Sequence, residues 1–425
     1  MLSKLTSSIF VRHVLVLLSG TIMTQGIVTL TIPIVTRLYD PAAFSVLAGF
    51  ASILSMATAV ACLRFNVAIP LPENEGEAAS LLVLSVVSAT VLSLLTYGLL
   101  MWTPLRDLQF IASRRLDEYV WLLGIAIWLS GTYLAFQSWA ARRQAFKRIA
   151  RTKVTRAGWS VATQIGIGAI NPVPLGLLLG HTVLQGFGFL SLALFAWRDD
   201  KADLLSVTRA KIANAVRAYW RYPVFSTPEA LLNAAGTNLP VLIIVAHAAP
   251  AEAGLLFLAM KIMGLPMMLV GRSVTQVYVS EAGEKLREGT LPRFTLIAIW
   301  SLAKLGALPF LLVGISAPFL AELALGEGWG RTGLLLAWMV PWFFLQFITS
   351  PISVVLLIAS QQVLAVGMQA LGLMLRVGAV YLALGIWPEF VSETFAISGA
   401  VFYVIYLGLI LMVLRVLMPR GETMR

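Results

Sequence analysis

Six basic residues stand within or at the end of stretches that are otherwise almost wholly apolar: Arg37, Arg64, Lys261, Arg272, Lys304 and Arg376. Five of them, all but Arg37, fall inside predicted membrane spans. A charge at the centre of a bilayer costs about 2.5 to 3.5 kcal/mol on insertion scales, so five facing lipid at full depth would cost roughly 12 to 18 kcal/mol. Glu229 is the one clearly acidic residue within a span, so the set cannot neutralise itself. A water-filled cavity lined with cations removes most of that cost, and it suits an anionic passenger. Arginine is apt for phosphate because its planar fork donates two parallel hydrogen bonds to phosphate oxygens. Arg64 and Arg272 lie near predicted cytoplasmic helix ends, where a long side chain can instead snorkel to the interface. Lys304 and Arg376 lie about 10 and 14 residues into their helices, too deep for that escape at a rise of ~1.5 Å per residue. Glu229 is a candidate ion-coupling site for a proton or sodium, or else a structural partner for a nearby cation. Thr21, Thr24 and Gln25 form a polar stripe on the first helix, suited to a lumen.

Other chemistry finds little purchase. No Walker A pattern, HExxH, GxSxG or dinucleotide fingerprint occurs, which argues against ATP hydrolysis and active sites of those classes. The single cysteine, Cys62, excludes a disulfide framework or cysteine metal site, and no cofactor is expected. His13, His181 and His247 are isolated in sequence; His181 suits a satisfied buried imidazole better than a proton relay. Gly176 and Gly180 form a GxxxG that fits close packing inside one chain better than dimerisation.

The elements that must position these residues follow from composition. A chain of 425 residues with 59% hydrophobic and 12% charged residues belongs in a bilayer. Continuous apolar runs of about 20 residues select helices over a barrel. The net charge of +11 reflects a positive-inside bias, so no nucleic-acid partner is expected. The apolar N-terminal run continues past the length of a signal h-region and predicts a retained first helix. Windows long enough to span fall near 13–35, 43–66, 79–101, 117–140, 154–170, 173–197, 223–247, 252–279, 293–317, 332–358, 362–386 and 392–417. With the N-terminus cytoplasmic, about 21 basic residues fall inside and about five outside, so both termini are expected in the cytoplasm.

A faint repeat sets Pro41 on Pro250, brings Arg64 within one position of Arg272, and aligns the acidic loops Glu73–Glu77 and Glu281–Glu284. The fold class expected is an all-α polytopic membrane protein of about 12 transmembrane helices in two six-helix lobes around a central cavity. The lobes are residues 1–197 and 223–425, with the pathway between them. The segment 198–222 is a cytoplasmic linker, either an interfacial amphipathic helix or an ordinary solvated connection.

Several blocks also resemble a known family. SGTIMTQ (Ser19 to Gln25), PIVTRLYDPAAF (Pro33 to Phe44) and LRFNVAIPLP (Leu63 to Pro72), followed by Glu77 and Ala78, are similar to the start of the bacterial polysaccharide exporters, the Wzx-type O-unit flippases. RYPVFSTPEALLN, NLPVLII, GRSVTQVY and QFITSPISVVL fit the same pattern further on. The resemblance implies the multidrug/oligosaccharidyl-lipid/polysaccharide exporter fold. It also implies, as substrate, an oligosaccharide repeat unit on undecaprenyl pyrophosphate, carried across the bacterial inner membrane by alternating access. Membrane lipids and other polysaccharide-assembly proteins are the further partners expected. Phe65 and Asn66 stand where Tyr and Glu are familiar, so no role here rests on that glutamate. Under this reading Arg64, Lys261, Arg272, Lys304 and Arg376 hold pyrophosphate and any acidic sugars at successive depths, with Arg37 at the periplasmic mouth. Other passengers, namely the peptidoglycan lipid precursor or cationic drugs, and a polymerase or ligase of the same pathway are the alternatives. An enzyme usually needs a substantial outer loop, and the longest outside connection, near Trp102 to Leu116, spans only about 15 residues.

Overall fold

A computed structural model describes residues 2–102, 113–267, 271–359 and 361–417, and every regular element among them is helical. The outer connection near Trp102 to Leu116 lies largely outside the described residues. Two compact units, Met1–Ala246 and His247–Arg425, divide the chain.

In the first unit, α1 (Leu2–Leu38) turns into α2 (Pro41–Ala61), which is followed by a short α3 (Phe65–Ala68) and by α4 (Glu75–Trp102). Then come α5 (Val120–Arg142), α6 (Phe146–Ile170), α7 (Pro174–Gly186) and α8 (Phe189–Asp199). Two short helices, α9 (Lys201–Leu205) and α10 (Arg209–Ala218), lead through a π-helical turn at Tyr222–Ser226 into α11 (Thr227–His247). The second unit holds α12 (Glu252–Met263), α13 (Arg272–Arg287), α14 (Leu291–Leu325), α15 (Gly330–Ile352), α16 (Val355–Ile358), α17 (Gln362–Ile386) and α18 (Val391–Leu417).

Local sequence explains the joints. Asp40 caps α2, its Oδ1 accepting from the Ala43 amide at 2.7 Å, and Pro41 takes the first helical position, where no amide donor is needed. Tyr39, just before the cap, is buried and donates its hydroxyl to the Gln164 carbonyl at 2.8 Å, fixing the end of α1 on α6. Between α5 and α6 the Ala145 amide reaches the Ala140 carbonyl and the Gln144 amide reaches the Ala141 carbonyl, a Schellman motif with Gln144 left-handed at φ 54. Gly176 and Gly180 sit in close packing: an added Cβ would lie 2.9 Å from Ile167 Cγ2 at the first and 2.8 Å from Gln164 Nε2 at the second. The GxxxG therefore presses α7 on α6 inside the unit.

The protein is an all-α polytopic membrane protein: ten helices among the described residues are long and apolar enough to cross a bilayer. Two expected windows are not among them. The 154–170 window belongs to α6, a 25-residue helix that carries Lys147, Arg148, Arg151, Lys153 and Arg156 in its first half. The 252–279 window includes residues outside the described ones, between α12 of 12 residues and α13 of 16. The 43–66 window also ends early, at Ala61. The linker region is likewise ordered: Thr208 caps α10 through the Lys211 amide at 3.3 Å, and α9 and α10 both pack on α4. Burial and the Glu77 carboxylate push the Tyr219 hydroxyl above its ordinary range at the end of α10.

Candidate functional site

The break after α2 is the most informative geometry in the first unit. Leu63 and Arg64 are consecutively left-handed, at φ 47 and 61, in a stretch with no glycine. Each such residue costs on the order of 1 kcal/mol, so the surroundings must hold the kink. They do so through Cys62, buried with its Sγ 3.2 Å from the Gly131 carbonyl, and through Phe65, Ala68 and Ile69, all buried. Arg64 is thus not inside the second helix, as the sequence suggested, but at the cap of α3. Its Nε is buried and has no hydrogen-bond partner among the described residues. A partly buried guanidinium with an unfilled donor is a site for an acceptor, and no acidic side chain occupies it.

The loop Pro70–Asn74 that follows this kink is clamped by a residue not singled out in the sequence analysis. Arg142, at the end of α5, donates to the Pro72 carbonyl at 2.6 Å and the Ile69 carbonyl at 3.3 Å, and pairs with Glu75 at 3.1 Å. Its neighbour Arg143 pairs with Glu75 at 3.4 Å, Asp200 at 2.9 Å and Asp203. Trp139 Nε1 donates to the second Asp200 oxygen at 2.8 Å. The acidic run after Pro72 therefore belongs to an ionic network that joins α4, α5, α8 and α9.

The remaining candidates of the first unit separate. Arg37 is exposed and donates back to the Pro33 carbonyl of its own helix at 2.8 Å. In the polar stripe, Thr21 accepts from Lys153 of α6 at 3.2 Å and Thr24 bonds to the Gly20 carbonyl at 2.8 Å, while Gln25 is half-buried. Glu229 is exposed on the first turn of α11 and makes no ion pair among the described residues.

In the second unit, Lys261 lies half-buried in the last turn of α12. Arg272 is the first residue of α13, and its side chain lies outside the described residues. Lys304 is exposed on α14, opposite the face that packs through Leu302, Gly306 and Phe310. Arg376 is buried, its guanidinium 5.2 Å from the Trp342 ring, 4.7 Å from Phe402 and 5.8 Å from Tyr403. This aromatic enclosure between α15, α17 and α18 offsets the cost of its charge within the unit.

The strongest ion cluster of the second unit escaped the sequence reading. Arg331 grips Glu252 at 2.8 and 3.0 Å, Glu393 at 3.1 Å and the Glu389 carbonyl at 2.9 Å. Both carboxylates are nearly buried. Glu393 also lies within a candidate span, so Glu229 is not the one acidic residue there. Among the described residues no group of three His, Cys, Asp or Glu side chains could hold a metal ion.

The model of a polysaccharide biosynthesis protein family matches residues 34–332. The chain belongs to that family. The resemblance carried by Ser19 to Ala78 is borne out, and the match extends from the end of α1, through the Arg64 kink, to the start of α15. No curated protein sequence matches. Among solved structures, an inward-facing multidrug resistance MATE family transporter of the MOP superfamily is similar at TM-score 0.68 and 15% identity, covering 95% of this chain and 96% of that one. The lipid II flippase MurJ in an inward closed conformation is similar at TM-score 0.67 and 13% identity, covering 96% and 90%. A MOP superfamily transporter from Pyrococcus furiosus, described by a reverse polarity of its binding pocket, is similar at TM-score 0.56 and 15% identity, covering 97% and 96%. At these identities the likeness is one of fold, and this member of the polysaccharide biosynthesis family has the fold of MOP superfamily transporters.

Proposed function

We propose that the chain moves a lipid-linked oligosaccharide unit, carried on undecaprenyl pyrophosphate, from the cytoplasmic to the periplasmic leaflet of a bacterial inner membrane. Both termini are cytoplasmic in this reading. The observation that carries it is the Arg64 guanidinium, held at a strained helix break with a buried donor and no acidic partner among the described residues. Its repeat counterpart Arg272 supplies the second cation. Each suits a pyrophosphate, which carries several negative charges and needs more than one donor group.

Family membership supports a passenger from polysaccharide assembly, and a fold shared with a lipid II flippase supports a lipid-linked one. Transport without bond formation fits the same neighbours, which are transporters and a flippase. Lys261 serves as a further contact. Lys304 and Arg37 contribute at most long-range attraction, and Arg376 acts through the packing of its own unit. Coupling to a proton or sodium ion falls to Glu229, whose exposed carboxylate is free to bind either.

Surface polysaccharide in a strain dependent on this chain tests the reading. Arg64→Ala and Arg272→Ala should each lower export at matched expression, and Arg64→Lys should retain part of it. Export at the wild-type level by the double alanine variant would overturn the proposal. Elongation of a lipid-linked donor by the purified chain would favour a polymerase instead.

A further inference from the structure

The first unit carries a cavity of about 480 Å³ between α6 and α8 that the transport reading does not use. Its rim holds Arg148 and Arg198, both exposed, at the expected cytoplasmic ends of the two helices. Arg148 is partly engaged, 3.6 Å from Asp199 and 4.2 Å above the Phe195 ring. Arg198 makes no ion pair among the described residues. Eleven residues from each rim arginine, about 16 Å along the helices, stand Trp159 and Phe187, whose rings are 6.5 Å apart and largely exposed. Leu190 and Leu194 continue the apolar wall, and both are exposed. The cavity is therefore two-part: cationic at the level of lipid head groups, and apolar and aromatic for a chain-length below.

We infer that this cavity binds one anionic phospholipid of the cytoplasmic leaflet, with its phosphodiester between Arg148 and Arg198 and an acyl chain along Trp159, Phe187 and Leu190. Charge complementarity selects this occupant. The two arginines less Asp199 leave a rim of net +1, which matches the single negative charge of a phosphodiester. A pyrophosphate would be left under-compensated, so the site is distinct in chemistry from the Arg64 kink. A basic side chain near an anionic head group strengthens binding about fivefold, and with Arg148 offset by Asp199 the rim's net charge gives a preference of that order.

Native mass spectrometry of the full-length chain in detergent, with added phosphatidylglycerol or phosphatidylcholine, tests the inference. Wild type should retain one phosphatidylglycerol per chain in preference to phosphatidylcholine by about fivefold. Arg148→Gln/Arg198→Gln should abolish the preference, Arg148→Lys/Arg198→Lys should keep most of it, and Arg209→Gln/Arg217→Gln, away from the cavity, should leave it unchanged. If the double glutamine variant does not fold, the single Arg198→Gln, which breaks no ion pair, should still weaken retention about fivefold. Equal retention of the two lipids, full retention by the glutamine variants, or displacement of phosphatidylglycerol by an equal concentration of a polyprenyl pyrophosphate would overturn it.

Discussion

Replacing Arg331 by alanine removes the one cation that holds two nearly buried carboxylates together. The Glu252 and Glu393 side chains are 9% and 7% exposed, and the guanidinium meets the first through two hydrogen bonds of 2.8 and 3.0 Å. Breaking a buried pair by deleting one partner costs about 3 to 5 kcal/mol, because the other charge is left without compensation. The Arg331 side chain is 32% exposed, so water can enter part of the space it leaves, and the expected loss is near the lower end, about 3 kcal/mol. Arg331→Lys keeps the charge but not the planar fork, and should lose about half as much. Equilibrium unfolding in mixed detergent and sodium dodecyl sulfate micelles, followed by near-ultraviolet circular dichroism, measures both. A double-mutant cycle with Glu252→Ala should return a coupling of about 2 kcal/mol. A loss below about 1 kcal/mol for Arg331→Ala, together with a coupling of zero, would refute the view that this cluster joins α12, α15 and α18.

Three further outcomes follow from the same geometry. Gln144→Gly relieves a left-handed, exposed residue in the Schellman turn and should stabilise the chain by about 0.5 to 1 kcal/mol in the same unfolding experiment. Arg142→Ala frees the Pro70–Asn74 loop from three contacts, so amide hydrogen exchange should rise there while α2 keeps its protection. Arg376→Ala leaves a hole beneath three aromatic rings and should cost about 2 to 4 kcal/mol. Arg376→Met should fold and keep transport, whereas a role for this arginine in holding substrate would require methionine to abolish it.

The spans were legible because a bilayer demands about 20 apolar residues in a row, and such runs are visible without any partner. The joint at Asp40–Pro41 was legible for a similar reason, since a cap and a first-turn proline act locally. The break at Leu63–Arg64 was not, because neither glycine nor proline marks it, and the left-handed backbone is imposed by the packing of Cys62 and Phe65. The ionic clamps were hidden by distance along the chain. Arg142 meets Glu75 across 67 residues, and Arg331 meets Glu252 across 79. Reading every intramembrane cation as a lumen residue therefore overcounted: Arg376 had an aromatic enclosure that only the fold assembles. Arg64 stood out in sequence as an expensive charge, and it is the candidate whose buried donor still awaits a partner.

The most direct test of transport is a flipping assay in proteoliposomes, using a short polyprenyl pyrophosphate that bears a fluorescent oligosaccharide and a membrane-impermeant quencher. A hydrogen bond to a charged group contributes about 1.5 to 3 kcal/mol, so Arg64→Ala should slow translocation by on the order of 10- to 100-fold at equal protein. Arg64→Lys should fall between, and Arg64→Ala/Arg272→Ala should be indistinguishable from empty vesicles. A double variant that flips the lipid at the wild-type rate would contradict the proposed roles of Arg64 and Arg272 in transport.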